Sequence, residues 1–348
     1  MMARIRSDKM WYPSYSKDAD IILTSRVRLA RNIEGMPFPH MLSKESASKV
    51  VDTVYSILKD NEDKRLSGLK LIKLSDITPL ERVSMIERHL ISSDLVNNYE
   101  NSAVIINDEE NISVMLNEED HIRLQVIYPG FKLKEAYELA NIIDDAIEGK
   151  ITYAFDSNLG YLTSCPTNVG TGLRVSVMLH LPALTYMRNM NSILNTVTQV
   201  GMTIRGMYGE GSNITGGIYQ ISNQITLGLS EEEIINNLLA VTSKIVDQEK
   251  KMRNMILKKQ KSEIDDDISR SLGLLKYAKI LPCDECLNLI SKVRMGIEMG
   301  LVDDIEAEKL NELIVNVQPA TIQVIKNKEF DSKDMDIERA KIVREILG

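Results

Sequence analysis

Apolar positions along the chain recur with two different periods, and the change of period divides it. Residues 20–35, DIILTSRVRLARNIEG, read as an extended strand running into a turn, while 44–60 and 79–91 have the three-and-four spacing of amphipathic helices. From 102 the period becomes two. SAVIIND, NISVMLN and DHIRLQVIY are three strands between polar turns, an antiparallel meander. A helix is predicted over 132–150, strands resume at ITYAF, GYLTSC and LRVSVMLHL, and a further helix occupies 183–200. TIRGMYGEGSNITGG reads as a glycine-rich loop and IYQISNQITLG as one more strand. Ser230 followed three residues later by Glu233 is a capping box that opens a helix of several turns. The charge-dense 258–267, KKQKSEIDDD, is a candidate hinge, and beyond it every segment is helical by periodicity. The expected fold class is α+β: an antiparallel sheet flanked by helices to about 255, then an all-helical C-terminal domain from about 265 to 348.

Composition narrows the function. At 348 residues with 43% hydrophobic and 26% charged positions, the chain is long enough for one large domain and a smaller one. Its net charge of −8 argues against a general affinity for nucleic acid or anionic membrane, so any anion site must be local. No apolar run is long enough for a membrane span, and the N-terminal MMARIRSDKMWYPS has no signal-peptide core, which makes a cytoplasmic protein the expectation. Cys165, Cys283 and Cys286 make an odd count with no disulfide framework, so reduced thiols are expected.

The chemistry sits on strand faces. In TSRVRLAR, alternation puts Arg26 and Arg28 on one face and Val27 and Leu29 on the other, and two neighbouring guanidiniums repel unless an anion lies between them. An isolated R-x-R is ordinarily a pair of solvated arginines, but the arrangement recurs. Glu119, His121, Arg123 and Gln125 share one face in EEDHIRLQVI, and Arg174, Ser176, Met178 and His180 share another in LRVSVMLHL. IRGMYGEG adds Arg205 and Glu210 in a loop able to close over a ligand. The recurring cation is arginine, whose planar fork grips phosphate oxygens in pairs, and the lysine-bearing P-loop motif is absent, as are the H-R-D and D-F-G signatures of protein kinases that act on hydroxyl groups. A nucleotide would therefore lie in an arginine cradle, with Glu119, Glu210 and the Cys165 thiol free to orient a cation such as a guanidinium.

SRVRLARN (25–32), NEEDHIR (117–123), CPTNVGTGLR (165–174) and RGMYGEG (205–211) resemble the motif set of the phosphagen (guanidino) kinases over about 24 to 250. The resemblance implies that fold and the transfer of the γ-phosphoryl of ATP, with Mg²⁺, to a guanidinium nitrogen. It implies Glu119, Glu210 and Cys165 as catalytic residues. The nucleotide-binding positions it implies are Ser25, Arg26, Val27, Arg28, Leu29, His89, Arg123, Arg174, Val175, Ser176, Val177, Met178, Arg205, Gly206, Met207, Tyr208, Gly209 and Glu210.

Only 24 residues precede Ser25, where kinases of free guanidino metabolites carry a helical domain, and a helical segment follows the catalytic motifs. Both features are similar to the bacterial protein-arginine kinase branch. That branch implies arginine-containing protein substrates, a Clp-type unfoldase-protease and a heat-shock repressor downstream, a small zinc-binding activator protein and a homodimer. The branch's phosphoarginine-sensing motif, R-D-x-x-R-A, aligns with Met335 to Ala340, so Asp336, Arg339 and Ala340 are present and the first arginine is replaced. The alternatives are a kinase of free arginine or another small guanidino compound, and a non-catalytic adaptor that binds phosphoarginine. No metal site is expected. Cys283-x-x-Cys286 lacks further ligands nearby for a structural zinc and reads as a helix start after Pro282.

Overall fold

The structure, a computed structural model, describes residues 18, 20–207 and 214–348. In chain order the elements are β1 (Ile22–Arg31), α1 (Lys44–Lys59), β2 (Lys70–Lys73), α2 (Pro79–Glu87), α3 (Ser93–Asn97), β3 (Ala103–Ile106), β4 (Ile112–Leu116) and β5 (Ile122–Pro129). There follow α4 (Leu133–Glu148), the short hairpin β6 (Phe155–Asp156) and β7 (Gly160–Tyr161), β8 (Leu173–His180), α5 (Pro182–Tyr186), α6 (Met190–Gln199), β9 (Met202–Arg205) and β10 (Ile218–Asn223). The helical remainder is α7 (Glu231–Lys259), α8 (Lys261–Tyr277), α9 (Cys283–Glu298), α10 (Ala307–Asn316), α11 (Pro319–Lys326) and α12 (Ser332–Leu347).

Eight strands form one antiparallel sheet in the order β2-β3-β4-β5-β1-β8-β10-β9, which makes β1, the strand of the R-x-R motif, a central one. Alternation then sets what each face does. Val27 and Leu29 of β1, Leu124 and Val126 of β5 and Val175 and Val177 of β8 are buried against α1, α4, α6 and α7 in the main core. Each such residue contributes about 1.5–3 kcal/mol when fully buried, which offsets what the opposite face costs. That face is covered at the β3–β4 end by α2 and α3 through a small cluster that includes Val104, Met115, Met85 and Leu95. At the β8–β10 end Met178, Met207 and Ile218 pack into the core of the C-terminal helices. Between the two covers the sheet stays open as a cleft.

The meander, α4, the Ser230–Glu233 capping box and the terminal helices agree with the sequence pattern. Four local expectations do not. The helix expected over 183–200 is broken into α5 and α6 at Arg188, which has φ +54°. The first three residues of the expected glycine-rich loop belong to β9, because Thr203, Ile204 and Arg205 pair with β10. The helix expected over 79–91 ends at Glu87, where His89 takes φ +60°. The charged 258–267 is helical apart from the break at Gln260, since its acids are held by ion pairs such as Asp266 with Arg270 and Asp267 with Lys292. Among the described residues no helix is long and apolar enough to cross a membrane.

Candidate active site

Strand register gathers the arginines. Arg28 lies directly opposite Arg174 on β8 and Gln125 on β5, Arg26 lies opposite Ser176, and Arg205 on β9 lies opposite Gln220 on β10. With Arg123 of β5 they line a cleft of about 730 Å³ that Glu118, Glu119, Asp120 and Cys165 also line. Like charges directly opposite on a ladder destabilise it. Arg26 is steadied by donating to Gln220 Oε1 (2.6 Å) and Ser176 Oγ (3.3 Å). Burial, then the charges of Arg123 and Arg174, bring its pKa down to about 10. Burial and the charges of Arg26, Arg123 and Arg174 hold Arg28 well below the usual guanidinium range, and its Nε is buried without a hydrogen-bond partner. Around Arg28 the centre of the sheet is crowded with positive charge, the condition that a polyphosphate relieves.

The acidic run is a turn. Asn117, at φ +58°, donates its N–H to the His121 carbonyl (3.0 Å), so the chain reverses and Glu119 stands at the tip, exposed to the cleft. The turn is anchored to the chain just after β1. Asn32 Nδ2 donates to Asp120 (2.6 Å), His121 N–H donates to Asn32 Oδ1 (2.9 Å), and the His121 ring accepts from Ile33 N–H at Nδ1 (3.0 Å). Burial raises the Glu119 carboxyl above its ordinary range, and the charges of Asp120 and Glu118 add to the effect. Glu118 goes the other way: burial opposes its ionisation, but the charge and hydrogen bond of Arg123, with the Ser92 hydroxyl, more than offset that. Cys165 is half-buried, lines the cleft with Glu119, and has its Sγ 3.0 Å from Thr167 Oγ1.

Glycines seat the Cys165 loop against the sheet. At Gly170, with φ +113°, a Cβ would come within 2.3 Å of the Thr226 carbonyl, and at Gly172, with φ +62°, within 2.6 Å of the Ala30 carbonyl. No larger residue fits either approach. Thr226 Oγ1 also donates to the carbonyls of Thr167 (3.0 Å) and Val169 (2.7 Å), locking the loop beside the acidic turn.

Not every predicted position faces the cleft. Met207 does, as does His89, whose pKa is brought down to about 3 by burial and then by Arg26, so that its imidazole is neutral, and Ser176 lines a small pocket that adjoins the cleft at Arg26. Val27, Leu29, Val175 and Val177 turn their side chains into the main core, because alternation puts them opposite the arginines. Ser25 is fully buried and donates to the Gly130 carbonyl (2.8 Å). Met178 borders the Arg26 end of the cleft while packing into the helical core, and Gly206 is a buried residue just past β9. Tyr208, Gly209 and Glu210 lie outside the described residues. His121 and His180, read as members of functional faces, are structural. The ring of His121 also bonds the Pro37 carbonyl (2.9 Å), and fully buried His180 sits between Ser291 Oγ and Arg294 Nη1, each at 2.8 Å. On α12, Arg339 is buried and donates to the carbonyls of Val317 and Leu281 (2.8 Å each) and to Asp336, Ala340 is buried, and Met335 fills the helical core. Cys283 begins α9 directly after Pro282; burial pushes the Cys283 thiol up and that of Cys286 to about 12, which keeps both protonated.

The family model described as "ATP:guanido phosphotransferase, C-terminal catalytic domain" matches residues 49–252, and "Protein-arginine kinase McsB C-terminal domain" matches 261–348. The chain belongs to the protein-arginine kinases. The protein-arginine kinase of Clostridium tetani is 49% identical over 97% of this chain and 98% of its own length. That of Clostridium acetobutylicum is 51% identical over 97% and 99%. Among solved structures, lombricine kinase superposes with TM-score 0.59 at 26% identity over 70% of each chain. The duplicated taurocyamine kinase of Schistosoma mansoni gives 0.58 at 26% identity, over 70% of this chain and 37% of that one. The protein-arginine kinase fold thus carries the α+β architecture and the helical C-terminal region expected from the sequence. Sequence reasoning passed over Glu118, Asp120 and Gln220. The first two were legible as the flanks of Glu119 in a run of three acids, and Gln220 as the polar residue between Tyr219 and Ile221 on a predicted strand.

Proposed function

We propose that this chain transfers the γ-phosphoryl group of ATP to arginine side chains in proteins, with the site residues acting as follows. One observation carries the reading: mutually repelling arginines and the Glu119 carboxylate with the Cys165 thiol line a single cleft. Arg26, Arg28, Arg123, Arg174 and Arg205 hold the phosphates and neutralise the charge that builds up on transfer. Glu119 orients the incoming guanidinium and takes its proton while the N–P bond forms and the bond from phosphorus to the ADP oxygen breaks. Cys165 packs beside a non-reacting nitrogen. Mg²⁺ would be carried on the phosphate oxygens, where it shields the transferring group. Glu210 would be the second carboxylate on the guanidinium.

In this reading the products go to a Clp-type unfoldase-protease, a heat-shock repressor is among the targets, and a small zinc-binding protein is the activator, in the cytoplasm. Residues 1–255 are the catalytic unit, and 265–348 form a dimerisation unit; exposed Leu274, Tyr277 and Ile280 at the end of α8 and beyond supply an apolar patch for the homodimer. Asp336, Arg339 and Ala340 retain part of a phosphoarginine sensor. Incubation with Mg-ATP and either an unstructured protein or free arginine, followed by mass spectrometry that avoids acid, tests the activity. Phosphate on protein arginines supports it, whereas phosphate confined to the free amino acid moves the enzyme to small guanidino substrates.

The pH profile offers a finer check. Glu119 acts ionised, so activity falls as acid protonates it, and its raised pKa sets that limb above the ordinary carboxylate value. Asp120→Asn keeps an oxygen to accept from Asn32 and Ser164 but removes a neighbouring negative charge. Ionisation of Glu119 then becomes easier, and the acid limb of kcat/KM is expected to move to lower pH.

A further inference from the structure

The two covers on the cleft-bearing face meet where α2 packs on α11. Glu87, the last of α2, accepts from the backbone N–H groups of Ala320 (2.9 Å) and Thr321 (2.7 Å) and from the Thr321 hydroxyl (2.8 Å). These amides open α11, where Pro319 has no N–H of its own and a carboxylate satisfies the donors that the helix leaves unpaired. The α11 side is firmly held, with Ala320, Thr321 and Ile322 buried and Ile322 in the helical core. One turn back on α2, Ser84 Oγ lies 3.5 Å from Thr321 Oγ1.

On the cleft side, His89 follows Glu87 by two residues. Its left-handed backbone is fixed by its N–H on the Ile86 carbonyl (2.9 Å) and by Gln125 Nε2 donating to its own carbonyl (2.8 Å). Ile86, His89 and Ile91 thereby become a wall of the cleft beside Arg26. We propose that Glu87 is a positioning residue for the nucleotide: by capping α11 it fixes the end of α2, so that the C-terminal helices complete the wall against which ATP lies. The inference rests on the reading that the arginine cluster holds ATP.

Steady-state kinetics with ATP varied at saturating arginine substrate test it. Glu87→Ala is expected to raise the KM for ATP about tenfold, the equivalent of ~1.4 kcal/mol, with kcat and the KM for the arginine substrate close to wild type. Thr321→Val, which loses only the hydroxyl bond, should raise the KM for ATP less and keep the fold. A purely structural role would lower the active fraction, and with it kcat, while leaving KM alone. Wild-type KM for ATP in folded Thr321→Val and Glu87→Ala, alongside an impaired Arg28→Met, overturns the clamp and spares the cradle. An Arg28→Met enzyme with wild-type kinetics overturns both.

Discussion

Replacing Arg28 by methionine is expected to lower kcat by about 10²–10³, the usual cost of losing one charged donor to a transition state, and at the same time to make the protein harder to unfold. Both effects come from one feature. Arg28 faces Arg174 across a central strand pair, is half-buried with Arg26 and Arg123 nearby, and has a buried Nε without a hydrogen-bond partner. In the absence of nucleotide that arrangement is a burden, and methionine removes the charge while keeping an unbranched side chain along the sheet. A gain of about 1 kcal/mol is the ordinary size for relieving a functional strain of this kind. Thermal unfolding, with and without ATP, separates this account from simple damage to the fold. ATP should stabilise the wild type strongly, because a ligand that binds only the folded state adds its binding free energy to stability. It should stabilise Arg28→Met much less. A variant that unfolds at lower temperature than the wild type without ATP would sink the argument that this face is strained.

The legibility of the site in the sequence follows how local each determinant is. The alternation in SRVRLARN alone separates Arg26 and Arg28 from Val27 and Leu29, and the same rule places Arg174 and Ser176, because a strand's two faces are fixed by the backbone. The rule holds for Arg123 and Gln125 but fails at His121, where the turn closed by Asn117 ends the regular strand and the ring is pinned under β1's exit. It fails at His180 for a different reason. That residue does share the face of Arg174, but the C-terminal helices cover that end of it, and nothing within β8 announces Arg294 more than a hundred residues away. Arg31 shows the same limit among the arginines of the motif: its guanidinium pairs with Asp144 (2.7 Å) and stacks on Tyr161, so it serves the core. The Glu87–α11 contact, joining residues 233 positions apart, had no local signal at all.

Glu119→Gln is expected to lower kcat by about 10²–10⁴, the range supplied by a positioned proton acceptor, with a much smaller change in KM for the arginine substrate. A substrate guanidinium has a pKa above about 12, so at neutral pH it arrives protonated, with its nitrogen lone pairs delocalised. The attacking nitrogen becomes a nucleophile only as its proton leaves, which puts the acceptor's contribution in the transition state and hence in kcat. Glutamine keeps an oxygen at the tip of the Asn117–His121 turn and can still orient a guanidinium, but its amide does not accept the proton. Glu119→Asp makes the complementary cut. It retains the charge and withdraws it by one methylene, and a displacement of about 1 Å costs on the order of 10² in rate. The two substitutions therefore separate charge from placement at one position, provided that the turn itself is undisturbed. The anchors Asn32, Asp120 and His121 lie outside both substitutions and should hold it. Unchanged turnover in Glu119→Gln would take the proton-accepting role away from Glu119 and leave it as an orienting residue beside Cys165.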